Sequence, residues 1–299
     1  MVNLGFKNLL KIIPDLGLSP VPFYILKNSI YLKGLEELYT YCYRPKRTLI
    51  EIFHDFPKTT KNIKSLDVLL EMIPSIKPRA FSIASSPCVH GDKIQILVAV
   101  VEYKTRLVET RKGTCSYWLS TLKPSVEDVR VPIWIKKGSF KFNWCKPLIC
   151  VGPGTGVAPF RSIINERIVK HNLKDNHLYF GCRSQQADCY FKAEWEKYVH
   201  QSSLDLNIAF SQAHENKVYV QDLILENSVK IFELLDNEDA TVLIAGSSNR
   251  MPQDVMAILT KIIKYNLPND GSEEDKEKTA SDYIKYLEQK KRIQLETWS

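Results

Sequence analysis

The run Gly152-Pro153-Gly154-Thr155-Gly156-Val157-Ala158-Pro159-Phe160 follows directly on the apolar stretch Pro147-Leu148-Ile149-Cys150-Val151. An apolar strand followed at once by glycines at alternate positions leaves the chain few options. The backbone bends sharply there, and it is bare enough for a large anion to approach it. Downstream, Ile163, Ile164 and Ile168 carry helical spacing, so the turn opens a helix whose first amides face that anion. Strand, glycine turn and helix in this order point to a pyrophosphate and, with it, to a nicotinamide nucleotide. The competing reading is a glycine turn in an ordinary strand-helix unit.

Around this motif the chain changes character. From Leu35 to Phe56 and from Leu66 to Ile73 the apolar spacing is helical, broken by Arg44-Pro45-Lys46 and closed by Pro74. Residues 79–86, 93–103 and 129–135 read as strands, with Val98, Val100 and Val101 in a β-branched run. Past Lys146 the apolar stretches Leu148–Val151, Leu178–Phe180, Leu206–Phe210 and Val242–Ala245 alternate with helix-length segments, which specifies a parallel sheet. The domain boundary then falls near Trp144 to Pro147. Asn269 to Lys278 reads as a charged, solvated loop before an amphipathic helix carrying Tyr283, Ile284 and Leu287.

Composition narrows the function classes. With 299 residues, 44% of them apolar and 25% charged, the chain holds two ordinary domains and is not a disordered protein. Its formal charge of +7 suits phosphate ligands or an acidic partner, but the cations are dispersed without a basic, aromatic-laced stripe, so no nucleic-acid partner is expected. The apolar run Leu9, Leu10, Ile12, Ile13 is interrupted by Lys11 and halted by Pro14, so neither a spanning helix nor a secretory core is expected, and no membrane. Seven cysteines without CxxC spacing fit reduced, mostly buried thiols, Cys150 being a packing residue in its strand. No metal site is implied, and no GxSxG nucleophile is present. The expected location is cytoplasmic.

The long form GPGTGVAPF resembles the nucleotide turn of the ferredoxin-NADP reductase superfamily. Other stretches fit the same family: Arg79-Ala80-Phe81-Ser82-Ile83-Ala84-Ser85-Ser86 is similar to its flavin strand, and Gly113-Thr114-Cys115-Ser116-Tyr117-Trp118-Leu119 to its flavin-diphosphate turn and helix. Gly181-Cys182-Arg183, Ala209-Phe210-Ser211 with Lys217-Val218-Tyr219-Val220-Gln221, and the terminal Glu296-Thr297-Trp298-Ser299 resemble segments of the diflavin reductases. The likeness runs from about residue 33 to the C-terminus. Arg44-Pro45-Lys46-Arg47-Thr48 brings the chain nearest to the branch of NADPH-dependent diflavin reductases that serves cytosolic iron-sulfur protein assembly.

The fold this implies is α/β plus β-barrel: an unassigned segment 1–30, then a helical connecting region and partial antiparallel flavin barrel over 31–146, then a doubly wound parallel-sheet NADP domain over 147–299. The early barrel strands and a flavodoxin-like FMN domain are expected upstream and are missing, so the chain reads as truncated. The resemblance also implies residue roles. For FAD these are Arg47, Arg79, Ala80, Phe81, Ser82, Gly113, Thr114, Cys115 and Ser116, with Trp298 stacking on the ring and swinging aside for nicotinamide. For NADPH they are Gly154, Thr155, Gly156, Ser211, Gln212, Lys217, Val218, Tyr219, Val220, Gln221 and Asp254. Phe81 stands where many relatives have Tyr and Gln212 where Arg is common, so the contact to the 2'-phosphate rests on Ser211, Lys217 and Tyr219. At the hydride-transfer point the chain offers Ser82, Glu296 and Trp298, with Ala245 where many relatives carry Cys.

The implied activity is hydride transfer from NADPH to FAD. Electrons then pass to FMN in the missing domain, in cis or in trans, and to an anamorsin-type iron-sulfur protein. Two alternatives differ in what they need: a stand-alone FAD reductase of a separate flavodoxin or ferredoxin, and a non-catalytic fragment acting as a partner-binding module.

Overall fold

A computed structural model describes residue 36 and residues 39–63, 65–73, 75–105, 110–213, 217–267 and 271–298. The unassigned segment 1–30 lies outside the described residues. The chain forms two compact units, one reaching to Ala80 and resuming over Val100–Val129, the other comprising Phe81–Ala99 and Arg130–Ser299. Residues 81–99 and 130–146 thus group with the parallel-sheet unit.

In the first unit the helical spacing yields a short wide-turn helix Tyr39–Tyr43, then α1 (Leu49–Asp55), α2 (Pro57–Lys61) and α3 (Leu66–Met72). Helix α1 starts where Thr48 and Glu51 form a reciprocal capping box, which satisfies two of the orphan donors of the first turn. Glu51 also receives Arg111 Nη2 at 2.6 and 2.7 Å. Arg111 belongs to β2 (Arg111–Lys112), which pairs antiparallel with β1 (Glu102–Tyr103), and α4 (Thr114–Thr121) follows directly.

The longer strands expected over 79–86, 93–103 and 129–135 do not form. Among the described residues these stretches hold only β1 and the isolated antiparallel bridge Ile83–Ile96, and Ile133, Trp134 and Ile135 are exposed. A β-branched residue favours an extended backbone only where a neighbouring strand gives it a surface to pack on, and here the ladder is lacking.

The second unit contains a five-stranded, all-parallel sheet of β3 (Leu148–Val151), β4 (Asn176–Cys182), β5 (Asp205–Phe210), β6 (Thr241–Ser247) and β7 (Ile293–Trp298), in the spatial order β5-β4-β3-β6-β7. Its connections carry α5 (Val157–Val169), α6 (Lys192–His200), α7 (Val220–Glu226), α8 (Ser228–Asp236), α9 (Met251–Asn266) and α10 (Glu273–Gln289). Side chains alternate across a strand, and β3 shows the result. Ile149 and Val151 enter a core with α7, α8, α9 and α10, whereas Leu148 and Cys150 enter a second core with α5 and α6. Burial on both faces explains why the inner strands β3, β4 and β6 read as apolar runs, whereas the edge strands β5 and β7 are partly covered and mix in polar residues.

Two segments differ from expectation. Of the charged loop read over 269–278, residues 269 and 270 lie outside the described residues, and from Ser272, whose hydroxyl accepts from Asp275 N in a capping box, the chain is helical, Glu273, Glu274 and Asp275 beginning α10. Acidic residues at a helix N-terminus are favoured by the dipole, so the charge that looked loop-like starts a helix. Of the seven cysteines, Cys42, Cys150 and Cys182 are buried while Cys88 and Cys145 are exposed, and all are unpaired thiols. Burial pushes the Cys182 thiol up to about 12 and that of Cys150 higher still, which makes both inert packing groups. Among the described residues no helix is long and apolar enough to cross a membrane, and no group of metal-ligating side chains gathers.

Candidate functional site

The strand order places the first strand of the unit, β3, in the middle, with the chain winding outward to β5 on one side and to β7 on the other. Open parallel sheets bind ligands at the carboxyl edge of such a reversal, here between β3 and β6. The glycine turn lies there. Residues Gly154–Gly156 form one 3-10 turn leading into α5, closed by Gly156 N on Pro153 O at 3.0 Å. Gly154 adopts φ +58°, and a Cβ built on it would meet nothing within 4 Å, so its backbone borders open space. Gly156 is required for the opposite reason, since a Cβ there would run into the Ala245 carbonyl on β6. Helix α5 begins without a capping side chain, and its first amide, Val157 N–H, turns back on the carbonyls of Gly154 and Thr155, so the bare glycine turn itself is what faces a ligand at the helix N-terminus. A bare glycine cradle at the positive end of a helix fits a nucleotide diphosphate.

Beside that turn the sheet register builds the second part of the site. Ala245 stands across the ladder from Glu296, and Ser247 from Trp298. Ser82 Oγ donates to Glu296 Oε1 at 3.1 Å, and Ser139 Oγ donates to Glu296 Oε2. Two hydroxyls thus hold both oxygens of one half-buried carboxylate next to the nucleotide turn. Lys141 N donates to Gln294 Oε1 at 2.8 Å, which fastens the segment carrying Ser139 to the same strand. Trp298 is half-buried against the core that contains Val157, Phe160 and Ala245, and its carbonyl accepts from Ser248 N at 2.8 Å.

The residues expected at the 2'-phosphate gather at the ends of β4 and β5. Ser211 N donates to Cys182 O and Gln212 N to Arg183 O, both at 2.9 Å, which continues the β4-β5 pairing past the sheet. Lys217 and Tyr219 are exposed, Tyr219 opens α7 with its N–H on Asp222 Oδ2 at 2.8 Å, and Gln221 is half-buried. Val218 and Val220 pack into the core below and so anchor this segment rather than face solvent. Asp254 is exposed in the first turn of α9, where its charge also favours the helix end.

The flavin residues are divided between the units. Arg79 and Ala80 close the first unit and are exposed, Arg79 Nη1 donating to Lys77 O, while Phe81 and Ser82 open the second and are half-buried. In the first unit Gly113 N donates to Val101 O at 2.7 Å, and Val101 N to Ser116 Oγ at 3.0 Å. The Ser116 hydroxyl is therefore committed to the turn itself, while Thr114 is exposed and Cys115 half-buried. Helix α4 also begins without a capping side chain, so this turn keeps the uncapped amides that a flavin diphosphate needs. Arg47 lies over the Tyr41 ring at 4.4 Å and pairs with Asp55 at 2.6 Å, an arrangement internal to its unit.

Sequence reasoning passed over Ser139 and Arg161. Ser139 lies in an irregular segment where no periodicity marks it. Arg161 had a signal: a cation directly after Phe160, on the helix that the glycine turn opens.

Two family models match the chain, FAD binding domain over residues 23–118 and Oxidoreductase NAD-binding domain over residues 150–257. The chain is 47% identical over 277 residues to NADPH-dependent diflavin oxidoreductase 1 of Xenopus laevis, a match covering 92% of this chain and 44% of that protein. The corresponding proteins of Mus musculus and Arabidopsis thaliana are 46% and 37% identical, each over 89% of this chain and 44% and 43% of their own length. The chain spans less than half the length of these relatives, and FAD and a nicotinamide nucleotide are the cofactors of its two matched domains.

Proposed function

For a chain that belongs to the ferredoxin-NADP reductase superfamily and is similar to the FAD and NADPH portion of the diflavin reductases, we propose the role of an NADPH-dependent flavoprotein reductase. It takes electrons from NADPH on FAD and hands them, through an FMN domain in cis or in trans, to an anamorsin-type iron-sulfur protein in cytosolic iron-sulfur protein assembly. Its location is the cytoplasm.

When bound, the nicotinamide supplies a hydride and the flavin ring accepts it; the chain's own residues bind, orient and exclude water. Gly154, Thr155 and Gly156 hold the nucleotide phosphates at the N-terminus of α5. Ser211, Gln212, Lys217, Tyr219 and Gln221 form the rim that meets the 2'-phosphate, with Val218 and Val220 anchoring its backbone, and Asp254 borders the nucleotide from α9. Arg47, Arg79, Ala80, Phe81 and the Gly113-Thr114-Cys115-Ser116 turn serve FAD, Phe81 by an apolar ring face without a phenolic hydroxyl. Trp298 covers the flavin ring from the strand end. Since Ala245 carries no thiol, proton handling falls to Ser82 and Glu296.

The observation that carries this reading is the contact chain Gly156–Ala245–Glu296–Ser82, which joins the nucleotide turn to the flavin strand within one unit. The test is the visible spectrum of the purified chain, with released flavin identified, before and after anaerobic NADPH. Bound FAD that bleaches supports the reading. A chain that binds no NADPH overturns it, and direct reduction of a separate flavodoxin without an FMN domain favours a stand-alone reductase.

A further inference from the structure

Arg161 is 7% exposed, and its whole guanidinium is engaged. Nε donates to Glu194 Oε2 at 2.8 Å, Nη1 to Ala84 O at 3.1 Å and to Gln95 Oε1 at 2.6 Å, and Nη2 lies 2.9 Å from His90 Nε2. Arginine has no acceptor, so His90 Nε2 accepts. The guanidinium also lies 4.3 Å above the Phe191 ring. Glu194, its counter-ion, is itself fixed by Asn165 Nδ2 at 2.8 Å. One residue further along α5, Ser162 Oγ donates to Ser85 O at 2.7 Å. The first turns of the helix that leaves the nucleotide turn thus grip two successive carbonyls, those of Ala84 and Ser85. These belong to the segment that carries Phe81 and Ser82, which is held at its other end by the Ser82–Glu296 hydrogen bond.

A cation buried this deeply is costly unless every donor is met, and a core helix needs no cation to pack. The fork geometry of arginine satisfies four partners at once, Ala84, His90, Gln95 and Glu194, which lysine does not. We propose that Arg161 is a positioning residue for hydride transfer. It fixes the flavin strand to the nucleotide helix, with Glu194 and Gln95 orienting its fork, and so sets the spacing between the two bound rings. The proposal rests on the reductase reading above, because only there does that spacing matter. A misplacement of about 1 Å at a reacting centre costs about a hundredfold in rate.

The test is Arg161→Lys in the full chain, read in two ways. Without cofactors, amide exchange of residues 82–85 is expected to accelerate about tenfold or more while β4 and β6 stay protected; unchanged exchange overturns the tie. In the FAD-loaded protein, the anaerobic rate of flavin bleaching by NADPH is expected to fall about tenfold or more with NADPH affinity within about threefold. A lower melting temperature with an unchanged bleaching rate overturns the positioning role. Where Arg161→Lys does not fold, Ser162→Ala removes only the Ser85 contact and is expected to act in the same direction, about threefold; no effect overturns the proposal. A wild-type chain that does not bleach counts against the reductase reading, while the exchange experiment still decides the tie.

Discussion

Ser82 Oγ and Glu296 Oε1 stand 3.1 Å apart although 214 residues separate them in the chain. The contact closes because β7 pairs parallel to β6 and brings Glu296 level with Ala245, while Ser139 holds the other carboxylate oxygen. A carboxylate fixed from two sides is oriented before any ligand arrives.

This arrangement makes Glu296 the residue whose loss separates chemistry from binding. Glu296→Gln keeps the shape and the pairing but removes the negative charge and the proton-accepting oxygen. Stopped-flow bleaching of the FAD-loaded chain is expected to slow by about a hundredfold, the scale of one acid-base group, with NADPH affinity nearly unchanged. Ser139→Ala leaves Ser82 in place and slows bleaching less, about threefold. Equal rates for wild type and Glu296→Gln would remove Glu296 from the mechanism.

The two glycines of the turn differ in why they are needed, and alanine distinguishes them. At Gly154 the added methyl group enters open space and the cost is the left-handed backbone, φ +58°, about 1 kcal/mol. At Gly156 the methyl group meets the Ala245 carbonyl, an overpacking that costs about 3 kcal/mol. Urea unfolding is expected to rank Gly156→Ala well below Gly154→Ala in stability. Both should weaken 2',5'-ADP binding, since the methyl group at 154 occupies the space kept for phosphate. A stable Gly156→Ala chain would mean that β6 and the turn separate easily.

Much of the parallel-sheet unit was legible because β3, β4 and β6 each contain a continuous apolar run, β5 ends on Ile208-Ala209-Phe210, and the glycine turn marks which strand comes first. Strand β7 was not read as a strand: Ile293-Gln294-Leu295-Glu296-Thr297-Trp298 is a short edge segment with one covered side, and its place beside β6 depends on a partner 50 residues away. The flavin half was over-read. Val98, Val100 and Val101 signal extended chain, but propensity does not supply a neighbouring strand, and among the described residues only β1, β2 and one bridge pair up. Glu296 and Ser82 were legible through family likeness alone, and Ser139 and the Arg161 contacts to Ala84, His90 and Gln95 were not, because each depends on a partner more than 60 residues distant.

Gln212 gives a gain-of-function test. It is exposed, at the end of β5 beside Ser211, and carries no charge toward the proposed 2'-phosphate rim. Gln212→Arg adds a planar cation suited to a phosphate dianion. The KM for NADPH is expected to fall about fivefold, with that for NADH unchanged, since one exposed charge-assisted contact contributes about 1 kcal/mol. Lys217→Ala is expected to act in the reverse direction. A Gln212→Arg variant that binds both nucleotides more tightly would place the residue elsewhere on the nucleotide.

The acid limit of the fold is set in part at the far end of the sheet. Asp205 Oδ2 accepts from His177 Nδ1 at 3.0 Å and from Lys230 Nζ at 2.9 Å. The His177 hydrogen bond, opposed by burial and reinforced by Lys230, holds this carboxyl well below the usual carboxylate range. A carboxyl that is more acidic folded than unfolded binds protons preferentially in the unfolded chain. Its stabilisation is therefore complete above about pH 5, beyond the unfolded value of about 3.9, and declines as pH falls toward the lowered folded value. Asp205→Asn removes that dependence. Melting temperatures measured from pH 7 to pH 2 are expected to differ most between wild type and variant above pH 5 and to converge in acid. The gap corresponds to about 1 kcal/mol or less, because the carboxylate is partly solvated and screened. Parallel curves, with a constant gap down to pH 2, would assign the effect of Asp205 to packing rather than to its charge.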